Sequence, residues 1–488
     1  MSEVIETISW KTQWSHFLQK ACPKAQVLTE KSELTVYEND GLGFHRHQPD
    51  CVIIVNNADD IAPILKIAKE CGFPYTVRGA GTSLSGGPVA LEGGLIIHLS
   101  RMNKVLEINE DDMYCVVEPG LVLNRLNEYL KPSGLFYPPD PSSGFASTLG
   151  GNVAENAGGI RCFRYGVTTN YVLGVEVIQQ DGSLVRFGGP SSQGGSHNSF
   201  NWTSFMVGSE GTLGIITKIW LKLKPIPQKV WTFLAEYSDL NSCTAAINEL
   251  VHLPTPPVAI EFIDNAVVQL VENSNMAVGI DKDSWVILTE IDGPKELVDT
   301  RVDEIKSILE KHDASKVSCE DDEEKRLKLW KARKVAGGLM GQLSPDLMIQ
   351  DAVIPRAYLK EVLQFIYDTG EELDIPVLNV FHAGDGNLHP NFLFDDRIPE
   401  QKKNIKILSN RLIEKVIACG GTLSGEHGIG NDKSCYLDKI FSQEEIDFQM
   451  TILKALNVND QMNPGKIIPQ RSFVGCCAPH HYIKKGGK

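Results

Sequence analysis

The stretch from Cys51 to Gly87 leaves this chain few ways to fold. Cys51 to Val55 (CVIIV) is a short apolar run, which predicts a strand buried in a parallel sheet. Ile61, Ile64, Leu65 and Ala68 then fall at i, i+3, i+4 and i+7, the apolar face of a helix. Asp59 or Asp60 is placed to cap that helix, Pro63 fits its first turn and Cys71-Gly72 ends it. FPYTVRG follows as a second strand, so the span predicts a βαβ unit. Its second strand runs directly into RGAGTSLSGG, residues 78–87, in which seven of the ten residues are Gly, Ser or Thr.

A backbone so poor in side chains can approach a ligand closely, and its successive N–H groups can cup phosphate oxygens. It is neither of the two common phosphate motifs. After Gly79 and Gly81 the next glycine is Gly86, which breaks G-x-G-x-x-G, and Gly87-Pro88 stands where a Walker motif needs Lys-Ser/Thr. Three further segments of the same character follow. YPPDPSSGFASTLGGNVAENAGG (137–159) places Ser147 as a helix cap, Gly150-Gly151-Asn152 in the first turn and Asn156-Ala157-Gly158-Gly159 at the end. GSEGTLGIIT (208–217) leads a tight turn into a strand, and QMNPGKIIP (461–469) forms a closing loop. Small residues of this kind suit a backbone wall against a flat ring and a diphosphate.

Residues 1–45 are expected to form a helical N-terminal extension, and no internal repeat is visible. Strand-like runs (GLIIHL, YCVVEPG, YVLGVEVIQ, GIITKIWLKLK) recur between 93 and 225, with an exposed loop over 188–201. KPIPQK (224–229) marks a boundary, followed by strands WTFLAEY and SWVILTEI, helices, and a long helix near 400–418. The expected division is 46–226, 227–425, 426–470 and a tail from 471 to 488. The 488 residues allow two or three domains, and a net charge of -15 argues against a general binder of nucleic acid or membrane surface. The N-terminus shows no signal peptide, and no window approaches the ~18 apolar residues of a membrane span. The eleven cysteines have no regular spacing and no C-x-x-C, the pattern of reduced, cytoplasmic usage without an iron–sulfur ligand run. The tail Cys476-Cys477-Ala478-Pro479-His480-His481 reads as a terminus, with metal binding the less favoured alternative.

FHAGDGNLHP (381–390) reads as a hairpin between IPVLNVFH and LHPNFLF. With the turn centred between Asp385 and Gly386, His382 lies opposite His389, so both imidazoles reach one cation. Glu426, in TLSGEHGIG, offers a carboxylate to complete a two-histidine, one-carboxylate site. Histidines beside turns are more often solvated or satisfied by hydrogen bonds, and on the residues alone both readings stand.

Taken together, the four glycine-rich segments resemble the FAD-binding domain of the vanillyl-alcohol-oxidase, or p-cresol-methylhydroxylase (PCMH), flavoprotein superfamily. H-A-G-D-G-N-L-H and G-E-H-G resemble the C-terminal part of its FAD-linked 2-hydroxy-acid dehydrogenases, and the likeness spans about residues 45–470. The resemblance implies an α+β fold: a PCMH-type FAD-binding domain of two α/β subdomains, plus a cap domain with an antiparallel sheet flanked by helices. It puts Arg78, Gly79, Ala80, Gly81, Thr82, Ser83 and Gly86 at the pyrophosphate of a non-covalent FAD. Pro139, Thr148, Gly151, Asn152, Asn156, Ala157 and Gly158 fall near the ring and ribityl chain, and Ile215 and Ile216 near the adenine half. Gly211 and Asn463 belong to the same cofactor set. It makes His382, His389 and Glu426 ligands of a divalent metal (Zn first, then Mn or Fe) and His427 the catalytic base. Arg333 would clamp the substrate carboxylate, its bland alternative being a helix-surface charge, and Asn387 would position the turn or substrate.

The resemblance also implies a separate iron–sulfur or electron-transfer-flavoprotein subunit as electron acceptor, with oxygen or a quinone as alternatives, and a peripheral membrane location through such a partner. One departure bears on substrate. Hydroxyglutarate-oxidising members carry a lysine before the Asp of a D-x-x-x-P element, and MIQDAVIP (348–355) has none. Glycolate or D-lactate is favoured over D-2-hydroxyglutarate, and the motifs look most like the glycolate-oxidising members. A flavin-free metallohydrolase and an inert flavin-bearing subunit are the readings from other classes.

Overall fold

The computed structural model describes residues 14–190 and 200–468. The Cys476–His481 tail and most of the 188–201 loop lie outside the described residues. The chain divides into two compact units: Met1–Ala157, Val167–Pro225 and Glu426–Lys488 form one, Gly158–Gly166 and Ile226–Gly425 the other. Gly158–Gly166, kept with the first domain on sequence grounds, therefore packs with the second.

The first unit holds a four-stranded sheet, a five-stranded sheet and a two-stranded ribbon of Leu135–Phe136 with Lys224–Pro225. β1 (Gln26–Leu28), β2 (Cys51–Ile54), β3 (Tyr75–Arg78) and β4 (Leu95–His98) run in the order β1-β2-β4-β3. The βαβ unit is present, with β4 inserted between its strands: Leu95 pairs in parallel with both Cys51 and Tyr75. Its helix, α1 (Ile61–Cys71), buries Ile61, Ile64, Leu65 and Ala68, as the spacing requires, and stops at Gly72 in the left-handed region. Each fully buried aliphatic contributes roughly 1.5–3 kcal/mol. Asp60 stands at the N-cap position of this helix, as expected, but makes no side-chain cap bond; Asn57 accepts from the amide of Asp59 and caps the 3-10 turn Ala58–Asp60 that leads into it. The N-terminal stretch is not wholly helical either, because β1 pairs antiparallel with β2. The second sheet, β5 (Val105–Asn109), β6 (Tyr114–Val117), β7 (Val172–Ile178), β8 (Leu184–Gly188) and β9 (Ile215–Lys222), is antiparallel in the order β5-β6-β9-β7-β8. The short helix α2 (Leu149–Glu155) opens on Thr148, whose hydroxyl accepts from Gly151 N, so the cap is one residue later than Ser147.

The second unit is built on one nine-stranded antiparallel sheet. β10 (Lys229–Tyr237), β11 (Ala259–Ile263), β12 (Trp285–Gly293), β13 (Lys316–Glu320), β14 (Asp346–Ile349), β15 (Ala352–Val353), β16 (Val377–His382), β17 (Asn387–Leu388) and β18 (Pro390–Phe394) make it up. The order is β13-β10-β12-β11-β16-β17-β15, with β18 pairing both β14 and β16. Helices α3 (Lys331–Met340) and α4 (Pro399–Ala418) belong to this unit. α3 buries Ala332, Ala336, Leu339 and Met340 in an apolar cluster with Ala259, Ile263 and Val380 of β11 and β16. That packing brings Arg333 toward the strand carboxylates.

Candidate active site

The hairpin at the end of β16 has a different register from the one expected. The turn centres between Gly384 and Asp385, so His382 pairs with Asn387 and Asn379 with Pro390. His389 is displaced by two positions along the second strand. Because the side-chain period of a strand is two, that displacement keeps it on the same face, as a diagonal rather than a direct neighbour of His382. The two rings meet edge to face with centroids 5.2 Å apart, and both residues are buried. Gly386 makes the turn possible at φ +79, and the Gly384 amide donates to Ile260 O of β11.

Each histidine is held by the same nitrogen. His382 Nδ1 lies 2.5 Å from Glu261 Oε1, and His389 Nδ1 lies 3.1 Å from Gln350 O and 4.0 Å from Asp351 Oδ1. An acceptor at Nδ1 fixes the proton there, so Nε2 carries the lone pair of both rings. Glu261 is wholly buried, pairs with His382 across β11 and β16, and accepts from Arg333 Nε at 2.6 Å through its other oxygen. Burial alone would raise its pKa, but the interactions with His382 and Arg333 outweigh it and hold the carboxyl at about 2. Arg333 is thus a tethered group rather than a loose helix-surface charge. Asp351, also wholly buried, accepts from Ser424 Oγ at 2.5 Å and from the amide of Gly425 at 3.0 Å. Asn387 Oδ1 is buried without a hydrogen-bond partner among the described residues. Two imidazoles with committed Nδ1 atoms, beside a buried carbonyl oxygen that has no donor, present lone pairs that fit a divalent cation. Glu426 and His427 are the first two residues beyond Gly425, the last residue of this unit.

In the first unit the glycine run follows β3 and is organised by Arg78. That side chain is buried, donates to Asn39 O at 2.8 Å and Pro88 O at 3.3 Å, and lies over the Tyr37 ring. Gly81 has φ +75, and a Cβ there would sit 2.1 Å from Arg78 Nη2. Gly79 is equally constrained, its Cβ position being 2.2 Å from Thr148 Oγ1. Asn463 donates to Gly87 O and Glu210 O and accepts from Thr76 Oγ1, so its side chain braces the loop. Pro139, Ile215 and Ile216 are buried, while Gly211 takes φ +70 with its Cβ position in ordinary van der Waals contact with Asn463 Nδ2 at 3.8 Å and Val77 Cβ at 4.0 Å. Ser147 Oγ and Asn152 Nδ2 are buried and have no partner among the described residues. Buried donors beside a glycine loop that admits no Cβ fit a bound FAD.

The segment carrying His427 is tied to the same unit. Ser85 Oγ donates to His427 O at 2.9 Å, and Glu210 accepts from Ile429 N at 2.8 Å and from Gly430 N at 3.0 and 2.8 Å. Glu155 lies beside Glu210. Burial and the Glu210 charge push Glu155 well up, while Glu210, itself raised by burial, is countered by the loop amides and Lys466. Burial lowers Lys466 to about 7.

Glu261, Gln350, Asp351 and Glu210 were missed as site residues on sequence grounds. The signal for Glu261 was present: an ionisable residue at the centre of AIEFI, a run otherwise apolar, needs a buried partner.

Residues 226–467 match the family model for the C-terminal domain of FAD-linked oxidases, and residues 49–188 match an FAD-binding domain. The glycolate oxidase subunit GlcD of Bacillus subtilis (strain 168) is 36% identical over 433 residues, 88% of this chain and 92% of its own. A D-lactate dehydrogenase of Anaerostipes hadrus is 31% identical over 435 residues, 87% and 90% of the two chains. The crystal structure of p-cresol methylhydroxylase with substrate bound aligns with a TM-score of 0.76 over 94% of this chain and 97% of that one. At 16% identity that likeness shows the fold alone: α+β, of the PCMH type.

Proposed function

The chain belongs to the family of FAD-linked oxidases, and from that premise we propose that it oxidises a short 2-hydroxy acid, glycolate or D-lactate, to the 2-oxo acid. The names of its relatives support this substrate class, and the lack of a lysine before Asp351 in MIQDAVIP favours a monocarboxylate. The observation that carries the reading is the shared tether of the two histidines. His382 and His389 both commit Nδ1 to an acceptor, the arrangement that turns Nε2 into a metal ligand.

His382, His389 and Glu426 would hold a divalent cation, Zn first and Mn or Fe next. Bound FAD would accept the hydride that leaves Cα, and the cation would make the substrate hydroxyl more acidic. His427 takes the hydroxyl proton as general base. Arg333 pairs its guanidinium with the substrate carboxylate, and Asn387 orients the substrate. Arg78 and the glycine run shape the cradle for the diphosphate, and the 151–158 segment walls the ring. With no C-x-x-C in the chain, reoxidation passes to a separate iron–sulfur or electron-transfer-flavoprotein subunit. Among the described residues no helix is long and apolar enough to cross a membrane, so such a subunit would supply any membrane association of a cytoplasmic protein.

Replacing His427 with Ala tests the assignment. The variant should keep FAD and metal while flavin reduction by the hydroxy acid falls at least a hundredfold, within the range of a lost general base. Undiminished reduction would remove His427 from the mechanism.

A further inference from the structure

Two carboxylates are buried on neighbouring strands of the large sheet of the second unit, two positions apart in register, and their surroundings differ. Glu290 of β12 is saturated: Arg161 donates to Oε1 from Nε at 3.1 Å and Nη2 at 2.8 Å, while Thr232 Oγ1, Trp330 Nε1 and Arg326 donate to Oε2. None of those partners belongs to the proposed chemistry, so Glu290 is a structural knot. Glu261 of β11 has one donor on each oxygen, and both are groups with proposed roles: His382 Nδ1 on Oε1 and Arg333 Nε on Oε2. Among the described residues the two Nη groups of Arg333 form no hydrogen bond.

We propose that Glu261 is a positioning residue which aims two site groups at once, His382 Nε2 toward the cation and the outer edge of the Arg333 guanidinium toward the substrate carboxylate. The proposal rests on the metal and substrate reading given above. Its physical basis is the number of acceptors. A carboxylate accepts from both partners simultaneously, and its place opposite His382 in the β11–β16 ladder fixes the distance between them. An amide at the same position has one oxygen and one NH2. Glu261→Gln must therefore set a donor against either His382 Nδ1–H or Arg333 Nε–H. In the first case the ring turns or changes tautomer and the cation site weakens. In the second the guanidinium loses its orientation and substrate binding weakens.

The test uses the FAD-loaded protein stripped of divalent ions and titrated with Mn2+ or Zn2+ against a chelating competitor. Glu261→Gln should weaken metal binding about ten- to hundredfold, the effect usual for removing the outer partner of a liganding histidine. It should also raise KM for the hydroxy acid by a larger factor than it lowers kcat. Glu261→Asp keeps both acceptor oxygens on a shorter arm, should fall between wild type and Glu261→Gln, and serves if the amide variant does not fold. Glu290→Gln is the structural control and should lower thermal stability while leaving metal affinity and KM unchanged. A folded Glu261→Gln protein with wild-type metal affinity and KM overturns the proposal and leaves the metal reading standing. A wild-type protein that takes up no stoichiometric divalent ion, or whose uptake survives His382→Ala, overturns the metal reading and the proposal with it.

Discussion

Replacing Glu210 with Gln should loosen the segment that carries His427 without emptying the flavin site. The Glu210 side chain sits at the bottom of the Gly428–Gly430 turn and accepts from two backbone amides, one of which reaches both oxygens. Gly428 and Gly430 take φ +86 and +53, so the turn has little chance to find another set of acceptors. A hydrogen bond to a charged group contributes about 1.5–3 kcal/mol, and an amide N–H left unsatisfied costs about 1–3 kcal/mol. Glutamine retains one acceptor and presents an NH2 to the second amide, so the closed turn should lose about 2–4 kcal/mol relative to its open state. Each ~1.4 kcal/mol is a factor of ten, which makes the expected loss of amide protection about 30- to 1000-fold at Ile429 and Gly430. Native-state hydrogen exchange on peptides covering residues 424–432 reads it directly, with β2 as the internal reference. Turnover should fall in parallel, because His427 lies two residues before Ile429. Protection at 429 and 430 within about threefold of wild type, in a folded protein, would refute the view that Glu210 holds this turn.

Other perturbations have equally definite outcomes. Gly81→Ala forces a side chain into φ +75 and displaces the Arg78 guanidinium from Asn39 and Pro88, so FAD affinity should drop at least about tenfold by fluorescence titration. An unchanged FAD Kd would mean that the loop does not shape the cofactor cradle. His98 is pushed down to about 4, first by burial and then by Arg78 and Arg101. Its contribution to stability is therefore complete above the unfolded value near 6.5 and is lost as pH falls toward 4, up to about 3 kcal/mol at ~1.4 kcal/mol per pKa unit. His98→Leu should flatten that part of the Tm–pH curve, and identical curves would clear His98 of the role. His389→Ala should abolish stoichiometric metal by elemental analysis with the flavin spectrum intact; loss of FAD along with the metal would show that the two sites are not separable.

Much of the fold was legible because it rests on local periodicity. The βαβ unit, the long helix near 400 and both arms of the hairpin follow from apolar spacing. The cap was off by one residue at Thr148, since Ser and Thr both cap and stand side by side there, whereas Asp60 holds the cap position of α1 without a side-chain bond to it. Strand β1 escaped notice because three residues carry too little periodicity. The hairpin register was misjudged since Gly384, Asp385, Gly386 and Asn387 all turn readily, yet an error of two positions leaves the face unchanged, and His382 and His389 still lie on one side. Glu261 could not be placed by spacing at all. Its partners Arg333 and His382 are 72 and 121 residues away in the chain, and only the antiparallel ladder of β11 with β16, together with α3 packed on the sheet, brings them together.

A 2-hydroxy acid should deliver its electrons to the flavin of this chain in a metal-dependent way. Anaerobic stopped-flow measurement of flavin absorbance, with glycolate, D-lactate and D-2-hydroxyglutarate offered in turn to metal-loaded and metal-stripped protein, tests that directly. The flavin should bleach with glycolate or D-lactate, at least about tenfold faster than with D-2-hydroxyglutarate, and stripping the metal should slow it by two or more orders of magnitude, the scale of a lost Lewis acid. A flavin that stays oxidised with every acid in the panel, or that bleaches equally fast without metal, would contradict the account.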